Sequence, residues 1–261
     1  MGVSTILVSL NEIDRADELL KITAGLAARH DAHVIGLYVV PAVYVYAGVS
    51  IHVTADVIDM GQKFFRDRAI EAEQKFKSAM QKQGFKGEWR NVEGTSTLIS
   101  AAVVEHGRQA DLIVISQSND NSGNGSETEF AEKIVMEAGR PVLMVPRSGT
   151  FDGRAQNVVI GWNGTREAAR AAFDAVPVFE EGATAHIVWV DSELNRGTTN
   201  MLPGAELATT LARHNIEAIS EPVTSPELEA ANAHRRPSPT YLPQHQRHDS
   251  AAHLRLPIPV R

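Results

Sequence analysis

A polar loop between an apolar run and an amphipathic segment is the part of this sequence best suited to phosphate chemistry. Residues 116–134 read SQSNDNSGNGSETEFAEKI and are rich in Ser, Asn and Gly. A glycine-bearing loop that leads into a helix is a common phosphate site in α/β proteins, because the free N–H groups and the helix dipole attract anions. The first chemical question is therefore whether this loop binds phosphate.

The same loop carries groups that compete with a phosphate. Ser126, Glu127, Thr128 and Glu129 fit a capping box, in which the Ser126 hydroxyl accepts from the Glu129 N–H and the Glu129 carboxylate returns to the cap. Together with Asp120, these carboxylates would repel a triphosphate by about 1 kcal/mol or more per charge pair near the surface. A bound Mg²⁺ would reverse that effect. We therefore expect side chains of the protein itself to occupy the helix N-terminus that a phosphate would otherwise bind.

Other chemical sites find little support in the sequence. It contains no P-loop signature, no His-Glu-x2-His and no Gly-x-Ser-x-Gly, so we predict no catalytic residues. The absence of cysteine excludes disulfides and thiolate chemistry. His30 should close a helix and His33 should open a strand, so the two should diverge and we predict no metal site. The pattern favours a protein that is not an enzyme.

Composition restricts the partners and the compartment. The chain has 261 residues and a formal net charge of −7, which argues against nucleic acid or an anionic membrane as the main partner. The N-terminus lacks a basic region followed by a long apolar run, and no segment approaches the roughly 20 apolar residues of a spanning helix. We therefore expect a cytoplasmic protein.

The order of elements predicts an α/β fold. Apolar runs rich in Val, Ile and Leu on both parities predict strands buried on both faces of a parallel sheet, at 6–10, 33–40, 111–116 and 141–145, with 89–94 as a further strand. Amphipathic segments between them predict helices at 14–30, 54–83, 95–108 and 127–138. The second helix is expected to use an apolar face formed by Val57, Met60, Phe64, Ile70, Phe76 and Met80. The alternation predicts an open sheet with helices on both faces.

The pattern then begins again. Residues 147–156 are polar and contain Gly, which is typical of a linker. From 157 the sequence NVVIGWNGTREAAR repeats the start of the chain at an offset of 152, so that Asn163 falls on Asn11. This second copy stops short at 224. Residues 225–261 are rich in Pro, Arg and His without a periodic apolar face, and we expect a disordered or loosely packed tail.

The runs ILVSLN, GLYVVP and EKIVMEAGRPVLMVP, in a module that occurs in tandem, resemble the universal stress protein (UspA-like) family. The resemblance covers residues 3–146 as a complete domain and 157–224 as the front of a second one. It implies a five-stranded parallel sheet in the order 3-2-1-4-5 and dimerisation through the fifth strand. In many members it also implies ATP bound at the tips of strands one and four.

The glycines of the family's ATP motif are replaced in this chain. ATP-binding members carry Gly-x2-Gly-x9-Gly-(Ser/Thr) after strand four. Alignment on the closing helix places Ser116 and Asn119 at the first two glycines and Thr128 and Glu129 at the final Gly-(Ser/Thr) pair. This replacement favours weak or absent ATP binding.

Strand one also departs from the family pattern. Its usual terminal Asp is Asn in both copies, at 11 and 163. Asn11 retains the ability to hydrogen-bond a ribose or an adenine edge, and Val39 matches the position that touches the base. The other interpretation is that both asparagines cap or lead into the following helix.

The resemblance leads to two functional expectations. The first is a stress-response binding or signalling module without a cofactor, which forms a homodimer and acts through protein partners. The second is an ATP binder with at most slow ATPase activity and ATP with Mg²⁺ as cofactors. The dimer edge would be the outermost strand, formed by Pro141, Val142, Leu143, Met144 and Val145, because an apolar edge strand invites pairing. The alternative is that the tail shields this strand.

Overall fold

The computed structural model describes residues 2–42, 55–93, 98–117, 129–149, 151, 153–190 and 204–223. The chain divides into two compact units between Gly153 and Arg154. Unit 1 denotes the residues up to Gly153, and unit 2 those from Arg154 onward. No helix in the described ranges is both long enough and apolar enough to cross a membrane.

Unit 1 is built on a five-stranded parallel sheet. Its strands are β1 (Thr5–Ser9), β2 (His33–Val40), β3 (Gly87–Glu93), β4 (Leu112–Ser116) and β5 (Val142–Val145). They lie in the order β3-β2-β1-β4-β5, and every neighbouring pair is parallel. The predicted fold class and strand order are confirmed.

Four helices cover the two faces of this sheet. They are α1 (Ala16–His30), which follows a short 3-10 turn at Ile13–Arg15, α2 (Ala55–Gln83), α3 (Ile99–Gly107) and α4 (Phe130–Glu137). Helix α1 packs on α2, and α3 packs on α4. Alternate strand residues point to opposite faces, and those on the face of Leu7 and Leu37 form a buried core with α3 and α4.

The expected apolar face of α2 is largely wrong. Phe76 is buried, but Met60, Phe64 and Ile70 are 71%, 47% and 55% exposed. The buried stripe runs instead through Ala69, Ala72 and Phe76. Helix α2 has 29 residues and is therefore about 43 Å long, whereas an eight-residue strand such as β2 spans about 26 Å. The N-terminal half of α2 therefore extends beyond the sheet that its other half covers.

The capping box expected before α4 is also wrong. The helix begins at Phe130, so Glu129 is the cap residue and not the third helical residue. Glu129 has a φ of 67° and its side chain makes no capping hydrogen bond. The capping box requires residue 129 inside the first turn. The other members of the predicted box, residues 126–128, lie outside the described residues.

Unit 2 contains a smaller sheet. Its elements are β6 (Ala155–Gly161), α5 (Arg166–Ala175), β7 (Phe179–Val190), α6 (Ala205–Ala212) and β8 (Glu217–Val223). The strands are parallel in the order β6-β7-β8. Strand β6 begins two residues inside the stretch predicted as linker. The predicted domain limits remain predictions, and the tail from 225 lies outside the described residues.

Candidate functional site

The carboxyl ends of β1 and β4 are the place in unit 1 where a ligand site is expected. The chain passes from β1 outward to β2 and β3, then returns to β4 and continues to β5 on the other side. Open α/β sheets bind ligands where this strand order reverses, outside the carboxyl ends of the strands. At this edge, residues 10–12 follow β1, Ser116 ends β4 and is followed by Gln117, and residues 146–147 follow β5.

Asn11 connects the ends of β1 and β2. Its side-chain Nδ2 donates to the Val39 carbonyl at 2.7 Å, and its Oδ1 accepts from the Val39 N–H at 3.1 Å. The side chain of Val39 is fully buried among residues of β1, α3 and α4. Both polar atoms of Asn11 are therefore used by the backbone of β2. Neither the 3-10 turn nor α1 has a side-chain cap, so the capping interpretation is wrong for Asn11.

A carboxylate from the end of β1 reaches across to β4 and β5. Glu12 Oε2 forms an ion pair with the Arg147 guanidinium and lies 3.1 Å from Ser116 Oγ. Arg147 also contacts Gln117, whose carbonyl is 3.3 Å from its Nη1 and whose Oε1 accepts from the Arg147 N–H at 3.2 Å. About one third of each side chain of the ion pair is exposed, at 31% and 34%. The chain thus places its own charged pair over the carboxyl ends of three strands.

A second arginine, Arg15, connects the residue after β5 to the start of α1. Arg15 Nη2 donates to the Pro146 carbonyl at 2.8 Å, and Arg15 Nε donates to Glu18 at 2.9 Å. Its side chain is only 11% exposed. The contact fixes the segment that leaves β5 against the start of α1, and so holds Arg147 close to Glu12.

The residues predicted from the sequence have different outcomes. Asn11, Val39 and Ser116 meet at the carboxyl ends of β1, β2 and β4. Glu129 precedes α4, while Asn119 and Thr128 lie outside the described residues. For all six residues, a role in nucleotide binding remains a prediction.

The sequence analysis missed Glu12, Arg15, Gln117 and Arg147. The sequence feature that could have identified two of them is a charged residue shortly after a predicted strand. Glu12 comes shortly after β1, and Arg147 comes shortly after β5. The pairing of these two residues depends on the strand order. Sequence separation alone gives no reason to join positions 12 and 147.

Asn163, which follows Asn11 at the predicted offset of 152, behaves differently from Asn11. Asn163 Oδ1 accepts from the N–H of Thr165 at 3.1 Å and from its hydroxyl at 2.7 Å. Thr165 caps α5 by accepting from the Ala168 N–H at 3.3 Å. The interpretation that this asparagine leads into the following helix therefore holds for Asn163. Asn11 thus contacts a strand of unit 1, whereas Asn163 contacts the residue that caps a helix of unit 2.

Comparison with known proteins gives structural matches only. No family model matches the chain, and no curated protein matches it. A universal stress protein from Archaeoglobus fulgidus DSM 4304 is 16% identical with a TM-score of 0.61, over 90% of this chain and 81% of that one. A protein of the universal stress protein family from Burkholderia pseudomallei is 25% identical with a TM-score of 0.40, over 55% and 96%. Another, from Archaeoglobus fulgidus in complex with dAMP, is 20% identical with a TM-score of 0.36, over 55% and 98%.

The architecture and the first of these matches define the class of fold. A five-stranded parallel sheet in the order 3-2-1-4-5, covered by helices on both faces, is shared with the universal stress protein from Archaeoglobus fulgidus DSM 4304. The chain therefore has the universal stress protein fold, which is a Rossmann-like α/β fold.

Proposed function

We propose that this chain is a universal stress protein that acts as a binding or signalling module, through dimerisation and protein partners, with weak or no ATP binding. The observation that carries this proposal is the ion pair of Glu12 with Arg147 at the carboxyl ends of β1, β4 and β5. A triphosphate at this edge would meet a carboxylate that is already hydrogen-bonded to Ser116. The charge of Arg147 is already partly neutralised by Glu12, so a phosphate gains less from a contact with this arginine and is repelled by the neighbouring carboxylate.

The geometry of Asn11 supports the same conclusion. A ligand that hydrogen-bonds Asn11 must compete with two contacts to the Val39 backbone. Loss of these contacts would leave a partly buried N–H and carbonyl without protein partners. A fully buried group without a partner typically costs about 1–3 kcal/mol, and water would offset part of that cost here. That cost is subtracted from the binding energy of any ribose or adenine.

Dimerisation is assigned to the outer edge of β5. Among the described residues, β4 is the strand that pairs with β5, and the Pro141 carbonyl accepts from the Ile113 N–H at 3.0 Å. The opposite edge of Val142–Val145 has no strand beside it in the described part of unit 1. The strand Val142–Val145 carries no charged residue, and the proline of the predicted edge, Pro141, precedes it; charged residues and proline within a strand are the features that usually protect a sheet edge from pairing. A two-fold pairing of this edge would complete its backbone hydrogen bonds.

Isothermal titration calorimetry with ATP, with and without Mg²⁺, tests the proposal. The wild-type chain is expected to show no sub-micromolar affinity in either condition. Glu12→Gln removes one negative charge beside the ligand and should tighten ATP binding by roughly tenfold, because a nearby charge pair contributes about 1 kcal/mol or more. Glu105→Gln, an exposed position on α3, changes the net charge equally and should leave the affinity unchanged.

Two results would contradict the proposal. Sub-micromolar binding of ATP by the wild type would favour the nucleotide-binding alternative. An equal gain from Glu12→Gln and Glu105→Gln would show that overall charge, and not the ion pair, limits binding. For dimerisation, a concentration-independent monomer in sedimentation experiments with rapidly exchanging amides in β5 would remove the assigned interface.

A further inference from the structure

Strand β6 is an edge strand whose outward backbone groups can be identified. Among the described residues of unit 2, its neighbour in the sheet is β7 alone. The Trp162 N–H donates to the Val188 carbonyl at 2.8 Å, so the backbone groups of Trp162 point toward β7. Backbone direction alternates along a strand. The N–H and C=O groups of Asn157, Val159 and Gly161 therefore point away from β7, along the free edge.

Unit 1 shows how the corresponding edge is occupied in a complete sheet. At the offset of 152, β6 corresponds to β1, which lies between β2 and β4. The Leu10 N–H donates to the Leu37 carbonyl at 2.9 Å, in the same way that Trp162 contacts β7. On its other edge, the Thr5 carbonyl accepts from the Asp111 N–H at 2.9 Å, at the entry to β4. The equivalent of Thr5 is Asn157, and it has no such neighbouring strand in the described part of unit 2.

The exposure of one side chain shows the consequence. Leu7, in the middle of β1, is completely buried, whereas its counterpart Val159 is 41% exposed. Leu7 lies on the sheet face that α3 and α4 cover in unit 1, and at the offset of 152 Val159 takes the corresponding position in β6 of the unit 2 sheet. A free edge in β6 is therefore accompanied by exposed apolar surface on the same strand.

The composition of β6 permits the strand to pair with itself. Its sequence, AQNVVIG, contains no charged residue and no proline. Like charges directly opposite each other destabilise a strand pair, and charged residues and proline are the usual protection of edges. A two-fold axis places identical strands opposite each other, so an uncharged strand pays no electrostatic penalty in that arrangement.

We propose that a second copy of this chain pairs with β6 through an antiparallel β6–β6 contact. In the register that pairs the outward backbone groups, Val159 lies opposite Val159 of the second copy, and Asn157 lies opposite Gly161. Every outward N–H and C=O of these three residues then has a partner, and the two exposed valines contact each other across the axis. The contact is separate from the one assigned to β5 and joins the chains through unit 2.

Disulfide trapping in the full-length chain tests this register. The chain contains no cysteine, so Val159→Cys introduces a single thiol. Residues opposite each other in a hydrogen-bonded antiparallel pair have Cα atoms about 5.5 Å apart, within the range of about 4.4–6.8 Å for a disulfide. We expect most of the Val159→Cys protein to become a covalent dimer under mild oxidation, and the dimer to return to monomer on reduction.

Gln156→Cys is the matched control. Gln156 is exposed on the same strand, but in the proposed register it lies opposite Trp162. The two Gln156 positions are then separated by six residues along the strand, about 20 Å. This variant should give little covalent dimer under the same conditions. Equal cross-linking of both variants would indicate random collision and would overturn the proposal.

Hydrogen exchange provides a second measurement that requires no cross-link. The amides of Asn157, Val159 and Gly161 should become at least about tenfold more protected as the protein concentration rises through the dimerisation range. Val159→Lys places two ammonium groups opposite each other and should abolish this protection, whereas Val159→Thr should retain most of it. Circular dichroism spectra of both variants that match the wild-type spectrum would establish that the substitutions leave the protein folded. Rapid exchange at every concentration, or protection that is independent of concentration, would overturn the proposal.

Discussion

The two hydrogen bonds between Asn11 and Val39 lead to a quantitative prediction. Asn11→Ala removes the donor to the Val39 carbonyl, at 2.7 Å, and the acceptor for its N–H, at 3.1 Å. A typical hydrogen bond contributes about 0.5–1.5 kcal/mol to the free energy of unfolding. Because the site is only partly buried, water can replace part of the loss. We expect the free energy of unfolding of unit 1 to fall by about 2 kcal/mol.

Urea denaturation followed by circular dichroism measures this change. With a slope of about 2 kcal/mol per molar urea, the midpoint of the unit 1 transition should fall by roughly 1 M. Exchange of the Val39 amide should become faster in the variant, because that amide loses its acceptor. Asn11→Asp should be destabilised to a similar degree, since the carboxylate keeps the acceptor but places an oxygen against the Val39 carbonyl.

Asn163→Ala is the control, at the position that the sequence pattern aligns with Asn11. Asn163 is exposed, and its side chain accepts hydrogen bonds from Thr165, two residues further along the chain. Its loss should cost about 0.5 kcal/mol, as for a solvated turn contact. A similar cost at both positions, or no change in the exchange of the Val39 amide in Asn11→Ala, would refute the assigned role of Asn11.

Further predictions concern packing and pH. Gly36→Ala would place a Cβ 2.6 Å from Phe76 and 2.9 Å from Trp89, so thermal unfolding should show a loss of about 1–3 kcal/mol from overpacking. Gly25→Ala, in the exposed middle of α1 with no atom within 4 Å of the new Cβ, should instead stabilise by roughly 0.5–1 kcal/mol, and a loss at this position would contradict the comparison. Burial raises the pKa of Tyr38 above its ordinary value of 10.0, against the opposing effect of a nearby arginine. The unfolded chain therefore releases this proton first, and stability should fall as the pH rises above about 10. Tyr38→Phe should reduce this alkaline loss in denaturation series at successive pH values, and an unchanged pH profile would exclude the effect.

The strands of unit 1 were largely predictable from local sequence. Runs of Val, Ile and Leu on both parities mark strands that are buried on both faces, and β2 begins and ends where its pattern predicts. Helix ends were less predictable. The pattern over 127–138 is helical, but α4 begins only at Phe130 because Glu129 adopts a left-handed backbone conformation. Such a conformation depends on how the chain leaves β4, which side-chain periodicity does not encode.

Packing determined which apolar residues of α2 are buried. Met60 and Phe64 fit an amphipathic pattern as well as Phe76 does, yet they are exposed because the helix is longer than the sheet beside it. Periodicity identifies an apolar stripe, but the extent of the neighbouring sheet decides which part of the stripe is covered.

The sequence alone determined the α/β class, the succession of strands and helices, and the loss of the glycine motif after β4, because these depend on residue types at short spacing. Only the tertiary structure decided which side chains meet at the carboxyl ends of the strands. Glu12 contacts Arg147 because the strand order places β1, β4 and β5 side by side. Asn11 and Asn163 are the same residue type and align in the sequence pattern, and their different partners follow from the surroundings that each unit provides.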